Sequence, residues 1–292
     1  MRTFSFNKIY VIESLPEGHR RTGKELYDDL LRYQELKYPL LKVVPCWIKS
    51  KSEWDTLMNQ IAEDCEQNGS HAILHLEIHG ECHGQGLVMG NGDFLTYDYI
   101  RPQLERINIA SHCNLFLTLA VCKGLYITSI NRLSKPMPFC GILGSIDDIY
   151  EHDIVIRFNE FYDEFFTSFE LAKAYKRLQE ANPDLPSTYR FDHADMLFCR
   201  EYQRYINNKC NKDVIKERAL EAAKDDRLLL PTRQLRRKFQ RDFEAQEKKT
   251  REMYFLDAAR NFFMLDDFPE NKERFEVPSN LKELEEKAAS LL

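Results

Sequence analysis

Two short apolar segments of this sequence each end in residues that could take part in nucleophilic catalysis. Residues 72–78 (AILHLEI) are followed by His79-Gly80, and residues 115–121 (LFLTLAV) are followed by Cys122. Both segments have the length and the density of apolar side chains that are typical of a buried parallel strand. A cysteine thiol beside an imidazole forms a pair of nucleophile and base. The sequence therefore predicts catalysis by Cys122 and His79, provided that the two strands are neighbours.

The residues between the two segments favour a parallel pair of strands. A Gly-rich turn, residues 90–93, is followed by a helical pattern from about residue 97 to residue 107. A strand, a crossover helix and a second strand form the right-handed unit that connects parallel neighbours. The carboxyl ends of such strands lie at the same sheet edge, where open α/β sheets build their sites. We therefore expect His79 and Cys122 to meet at this edge.

The chemistry expected there is acyl transfer by a cysteine. The imidazole of His79, and the amides that open a predicted helix over residues 125–133, would favour the thiolate of Cys122. The backbone N–H groups of Gly80 and Cys122 would form the oxyanion hole. The residue that orients the imidazole is left open, with a backbone carbonyl or Glu77 as the candidates.

Two other interpretations use some of the same residues. A buried cysteine and a histidine at a strand end are both common as structural residues. Zinc could be bound by His79, Cys82 and His83, but three ligands from one loop are weak evidence, and we expect no metal site. The glycines of residues 84–92 are not followed by Lys-Ser or Lys-Thr. They favour a hairpin turn over a phosphate loop, so we expect no cofactor.

The pattern along the rest of the chain predicts an α/β fold with a helical C-terminal extension. Strands and helices alternate over the first 146 residues, which favours a helix-flanked, mostly parallel sheet. A single amphipathic helix with an aromatic stripe is predicted for residues 158–179, and a last strand for residues 195–202. From residue 207 the sequence is rich in Lys, Arg, Glu and Ala. We therefore predict a catalytic domain over residues 1–206 and a helical extension over residues 207–292.

Composition limits the partners that this chain could have. The net charge of -6 argues against a broad nucleic-acid surface, and we expect no direct nucleic-acid partner. No stretch approaches the roughly 18 apolar residues of a membrane span, and the N-terminus lacks the pattern of a signal peptide. The eight cysteines contain no CxxC pair, which is typical of reduced thiols inside the cell. The sequence therefore predicts a cytoplasmic protein that has no membrane partner.

The two strand-end motifs, taken together, resemble a known group of peptidases. A strand ending in His-Gly and a later one ending in Ala-x-Cys-x-Gly are similar to the caspase-like clan of cysteine peptidases, which includes separases, metacaspases and gingipains. Residues 141–178 are similar to the end of the CHAT branch, with Phe161-Tyr162 and the Ala-rich residues 172–174 at structural positions. The resemblance covers about residues 4–205 and does not include the C-terminal extension.

This resemblance implies that His79 is the base, Cys122 the nucleophile and Gly80 an oxyanion donor. It also implies a protein substrate. Prokaryotic relatives often serve antiviral defence by cutting a partner such as a gasdermin-like pore former, so a partner of that kind is expected. The chain departs from the family at Ala120, where Ser or Gln is frequent, and at residues 144–145, where an aromatic is frequent. The departure at Ala120 bears on substrate specificity rather than on catalysis.

The loop after the strand that follows the nucleophile strand contains two adjacent carboxylates, Asp147 and Asp148. They predict a pocket for a basic side chain before the scissile bond, as the equivalent acidic residue forms in separase-like relatives. Alternatively, one carboxylate caps the next helix and the other is solvated. The leading hypothesis is thus a cysteine endopeptidase with a narrow protein substrate. The alternative is an inactive caspase-like scaffold whose C-terminal extension binds a partner.

Overall fold

The computed structural model describes residues 4–225 and 233–289, and eight strands in these ranges form a sheet. Residues 226–232 and 290–292 of the predicted extension lie outside the described residues. The strands are β1 (Lys8–Ser14), β2 (Lys42–Trp47), β3 (Ala72–Gly80), β4 (Gly86–Val88), β5 (Phe94–Thr96), β6 (Phe116–Leu119), β7 (Gly141–Ser145) and β8 (Tyr189–His193). Their order is β2-β1-β3-β6-β7-β8, with β4 and β5 forming a hairpin that pairs with β3.

Most strand pairs in the main sheet are parallel. β1 is parallel to β2 and β3, and β6 is parallel to β3 and β7, whereas β8 is antiparallel to β7. Residues 72–78 of β3 are all buried, as expected for a central strand that is covered on both faces. The predicted fold class, a helix-flanked and mostly parallel α/β sheet with an α-helical C-terminal extension, is confirmed.

Eleven α-helices occur in the described part of the chain. They are α1 (Thr22–Asp29), α2 (Gln34–Lys37), α3 (Lys51–Asn68), α4 (Tyr97–Ala110), α5 (Glu151–Ser168), α6 (Leu171–Glu180), α7 (Ala194–Lys209), α8 (Lys212–Asp225), α9 (Arg233–Phe262), α10 (Asn271–Arg274) and α11 (Leu281–Ala289). Two 3-10 helices, Leu31–Tyr33 and Gly124–Ile130, complete the set. Within the described ranges, every helix is too short or too polar to cross a membrane.

Three predicted elements differ from the observed ones. The predicted helix over residues 158–179 is two helices, α5 and α6, because Phe169 takes a left-handed conformation with φ 53° and ends α5. The predicted strand over residues 195–202 is wrong, since these residues belong to α7 and the strand is β8 just before them. The helix predicted over residues 125–133 is the 3-10 helix Gly124–Ile130.

The aromatic stripe of α5 packs against the sheet, as its helical period predicts. Phe158, Phe161 and Phe165 are at most 2% exposed. The Phe158 ring lies 4.8 Å from the imidazole of His75 on β3, in a T-shaped arrangement. The stripe is therefore core packing rather than a stacking platform for a ligand.

The described chain divides into two compact units. One contains residues 4–130 and 137–194, and the other contains residues 131–136, 195–225 and 233–289. In the second unit, the aromatic side chain of Phe198 on α7 contacts Phe255, Phe262 and Phe263. This unit begins inside α7, earlier than residue 207, and the proposed functional boundary at residues 206–207 stays a prediction.

A buried arginine joins α5 to the segment that follows α6. Arg157 is fully buried, and its Nε donates to the Asp153 carboxylate at 2.7 Å. Its Nη1 donates to the Leu178 carbonyl at 2.8 Å, and its Nη2 to the Leu185 carbonyl at 2.6 Å. This guanidinium is shielded from water, but its hydrogen bonds satisfy a carboxylate and two carbonyl groups at the same time.

Arg157→Met should lower the free energy of unfolding by about 3–5 kcal/mol, because it leaves Asp153 and two carbonyls without this donor. Arg177→Met is the matched control, since the Arg177–Glu160 pair lies on the surface and should contribute at most about 1 kcal/mol. Urea denaturation, followed by circular dichroism, measures both changes. Equal losses for the two variants would contradict the structural role of Arg157.

Candidate active site

The carboxyl ends of β1, β3 and β6 meet at a point where the sheet topology reverses. β1 is bordered by β2 on one side and by β3 on the other, so the chain extends the sheet from β1 in both directions. Such a switch point leaves a crevice outside the strand ends, which is the usual ligand site of open α/β sheets. The loop after β1, the end of β3 and the turn after β6 all lie at this edge.

His79 lies near the end of β3, where the main sheet gives way to the β4–β5 hairpin. It is partly buried and pairs with Val88 of β4. Burial lowers the pKa of His79 below its usual range, and the nearby imidazole of His19 lowers it further. The negative charge of Glu151, at the start of α5, acts in the opposite direction. The lowered pKa favours the neutral imidazole, whose lone pair can accept a proton.

Cys122 lies in the tight turn after β6. The turn is closed by a hydrogen bond from the Gly124 N–H to the Val121 carbonyl at 3.0 Å, and Lys123 within it has φ 53°. The Cys122 thiol is partly exposed, and its sulfur accepts the Ile149 N–H at 3.4 Å. The structure thus presents the sulfur at the sheet edge and gives it a backbone donor.

Gly80 brings the end of β3 into contact with this turn. A Cβ atom at position 80 would lie 1.9 Å from the carbonyl oxygen of Cys122 and 2.9 Å from its carbonyl carbon. No side chain can be accommodated at these distances, because both atoms belong to the backbone. The glycine therefore allows the His79-Gly80 strand end to approach Cys122, as the spacing of the two motifs predicts.

Glu77, one of the candidates for orienting the imidazole of His79, has other partners. Its Oε1 lies 3.0 Å from Nε2 of His75, and its Oε2 accepts the hydroxyl of Thr22 at 2.6 Å. His75 in turn contacts the hydroxyl of Thr118 on β6 at 2.9 Å. These groups are buried and form a hydrogen-bonded network beneath the site.

The ring partner that the structure gives to His79 is His19, which the sequence analysis did not single out. Nε2 of His79 lies 3.1 Å from Nδ1 of His19, in the loop between β1 and α1. The sequence pattern does not reveal this partner because it does not give the strand order. Only the adjacency of β1 and β3 brings this loop beside the end of β3. The residues Pro16-Glu17-Gly18 mark a turn in the sequence, but they do not show which strand end the turn faces.

Asp147 and Asp148 lie beside the turn that contains Cys122. The Lys123 N–H donates to the Asp147 carbonyl at 2.9 Å, so this loop is attached to the residue after Cys122. Oδ1 of Asp147 accepts the N–H of Asp148 at 2.9 Å, and Oδ1 of Asp148 lies 3.4 Å from Nζ of Lys123. Both carboxylates are exposed, but the charge of Asp148 already has a partner.

Glu81, Cys82 and His83 are the ligand-type side chains that the described part of the chain brings close together. Their ligand atoms lie within 4.8 Å of one another in the loop after β3. However, Glu81 accepts the Cys82 thiol at 3.0 Å and the backbone N–H groups of His83 and Gln85 at 2.8 and 3.2 Å. These hydrogen bonds within the loop account for the close approach of the three side chains, and we assign no metal to them.

The arrangement can support nucleophilic chemistry at the sheet edge. His79 and the partly exposed Cys122 are carried by two backbone segments in direct contact. The Cys122 thiol donates to the Ile149 carbonyl at 3.8 Å. Six of the other seven cysteines, all in described segments, are buried, and the remaining one, Cys82, donates its thiol to a carboxylate. Among the eight cysteines, Cys122 is thus the partly exposed one that lies beside the strand end carrying His79.

Comparisons with known proteins give a likeness of fold among solved structures. No family model matches the chain, and no curated protein matches it either. The structure is similar to that of the Drosophila initiator caspase Dronc, with a TM-score of 0.49 and 13% sequence identity. The similarity covers 65% of this chain and 81% of the Dronc chain.

Gly80→Ala should displace the turn that carries Cys122, because the added methyl group overlaps the Cys122 carbonyl. We expect a loss of stability of about 1–3 kcal/mol and a changed rate of Cys122 alkylation by iodoacetamide. Gly69→Ala is the control: Gly69 has φ 62° but nothing within 4 Å of an added Cβ. It should cost about 1 kcal/mol and leave the alkylation rate unchanged. An unchanged rate in Gly80→Ala would contradict the close approach.

Proposed function

We propose that this chain is a caspase-like cysteine endopeptidase that cleaves a specific protein partner through Cys122 and His79. The observation that supports the proposal most directly is the contact between Gly80 and the Cys122 carbonyl at the switch point of the sheet. It explains why a glycine follows the histidine, and it puts His79 and Cys122 on adjacent backbone segments. The proposal also includes a cytoplasmic location and a pore-forming effector as the substrate.

The proposed reaction proceeds in two steps. His79 accepts the proton of the Cys122 thiol, and the thiolate attacks the carbonyl carbon of the scissile peptide bond. The N–H groups of Gly80 and Cys122 stabilise the oxyanion, and the imidazolium of His79 protonates the leaving amine. Water, deprotonated by His79, then hydrolyses the thioester and regenerates the thiol. The lowered pKa of His79 suits a base that is neutral at the start of each step.

The C-terminal extension has a separate role in this proposal. Its helices α8 to α11 follow the region that supplies both catalytic groups. We propose that the extension captures the protein substrate, which would make the natural partner a better substrate than a short peptide. In the alternative function, an inactive caspase-like scaffold, the extension binds a partner and Cys122 is a structural residue.

Cys122→Ala and His79→Ala should each lower the rate of peptide hydrolysis by roughly 10⁴-fold or more, and the double variant should be no slower than either one, because the pair acts as a unit. A fluorogenic peptide library provides the substrate. Cys82→Ala is the matched control and should retain full activity, since its thiol is bonded to Glu81.

Iodoacetamide at neutral pH separates the peptidase from the scaffold. Exposure alone predicts that Cys82 reacts first, because Cys82 is more exposed than Cys122. However, the hydrogen bond to Glu81 raises the pKa of Cys82, which makes this thiol less reactive. Faster alkylation of Cys122, mapped by mass spectrometry, therefore supports an activated nucleophile. If Cys82 reacts first and Cys122 is inert, the scaffold is favoured.

The proposed pocket for a basic side chain before the scissile bond rests on Asp147 and Asp148. We expect Asp147→Asn to lower the preference for Arg or Lys over Leu by about two- to fivefold, the range for an exposed ion pair. Asp148→Asn should have a smaller effect, because Asp148 is already paired with Lys123. The exposed Asp163, on α5, supplies the control Asp163→Asn. A wild-type preference for Leu, Met or Asp at this position would refute the pocket.

A further inference from the structure

The two imidazoles at the switch point are held in a defined geometry. Nε2 of His79 and Nδ1 of His19 are 3.1 Å apart, and the ring centroids are 5.0 Å apart with an interplanar angle of 75°. The near-perpendicular rings exclude stacking as the reason for the contact. The nitrogen–nitrogen distance is that of a hydrogen bond in which one ring donates and the other accepts.

The backbone on both sides of His19 fixes its position. The His19 N–H donates to the Pro16 carbonyl at 3.2 Å, and Gly18 between them has φ 88°, which a glycine adopts without strain. After the loop, Glu13 of β1 accepts the N–H groups of Gly23 and Lys24 at 3.0 and 3.1 Å. The loop is therefore short and attached at both ends, even though the His19 side chain itself is exposed.

The hydrogen bond decides which nitrogen of His79 is available to the thiol. A neutral imidazole has one N–H and one lone pair. Because Nε2 is occupied by His19, the nitrogen left for Cys122 is Nδ1. If Nδ1 is to accept the thiol proton, Nε2 must carry the hydrogen and donate it to Nδ1 of His19. His19 then carries its own proton on Nε2, which faces away from this bond.

We infer that His19 is the residue that positions His79, by accepting its Nε2–H and so presenting Nδ1 to Cys122. This inference rests on the proposed peptidase function and adds a third member to the catalytic pair. A third group that orients the base is the usual complement of a nucleophile and base. Here that group is an exposed side chain from the loop after β1.

The first test determines by NMR of the ring nitrogens which nitrogen of His79 carries the hydrogen. The Cys122→Ala background removes the coupled titration of the thiol, and His79→Gln identifies the resonances of His79. In this background the hydrogen should lie on Nε2 of His79, His19→Ala should weaken that preference, and His19→Asn, which retains an acceptor, should preserve it. His83→Ala, which removes another exposed histidine of the same edge, should leave it unchanged. A hydrogen on Nδ1 of His79, or an unchanged tautomer in His19→Ala, overturns the inference.

The second test measures what the hydrogen bond contributes to catalysis, using the best peptide of the fluorogenic library and the native thiol. His19→Ala should lower kcat by about 10- to 100-fold, the loss typical of a misplaced catalytic group, with little change in KM. His19→Asn retains a hydrogen-bond acceptor near the position of Nδ1 and should recover most of this loss. If His19→Asn is as slow as His19→Ala, or if both are as fast as wild type, the positioning role is refuted.

The two failures are distinguishable. If Cys122→Ala and His79→Ala retain activity, the proposed peptidase mechanism is wrong, whatever the His19 variants do. If those two variants are inactive while the His19 variants match wild type in kcat and in the tautomer of His79, the peptidase stands and His19 has no part in it.

Discussion

The contact between the backbones of Gly80 and Cys122 is the constraint on which the candidate site depends. β3 and β6 pair in parallel up to Leu76 and Leu119, and the Ala120 N–H adds one further bond to the Leu76 carbonyl at 2.9 Å. Beyond this point the two chains stay close because position 80 has no side chain to separate them. His79 precedes that glycine, so its position relative to the thiol is fixed by the backbone of two neighbouring strands rather than by loop conformation.

Buried polar groups support the same edge from within the sheet. Glu13 is fully buried, and burial raises its pKa although Arg21 and the N–H of Lys24 favour its charged form. A buried carboxylate without partners would cost several kcal/mol, so its bonds hold the start of α1 against the end of β1. The loop that carries His19 is confined by this arrangement. Stability of the core and geometry of the site therefore depend on the same interactions.

Local pattern predicted much of the fold, and its failures share one cause. The strands that end in His79-Gly80 and before Cys122, the hairpin and the helix between them were all expected from periodicity and turn residues. Residues 195–202 were predicted as a strand because of their apolar content, but α7 buries Leu197, Phe198 and Tyr202 along one helical face. A short apolar run fits a strand or a buried helix equally well, and only its tertiary neighbours decide between them. The same holds for Phe169, which ends α5 without a glycine or a proline to mark it.

The sequence by itself determined which residues could do chemistry and where along the chain they end their strands. His79, Gly80 and Cys122 were identified in this way, because a parallel crossover brings successive strand ends to one edge. Only the tertiary structure showed that β1 lies between β2 and β3, and hence that His19 reaches the imidazole from a loop 60 residues away in the chain. Strand order depends on how all the apolar faces are buried together, a property of the whole sheet. A histidine in an exposed turn has no local pattern that reveals its partner.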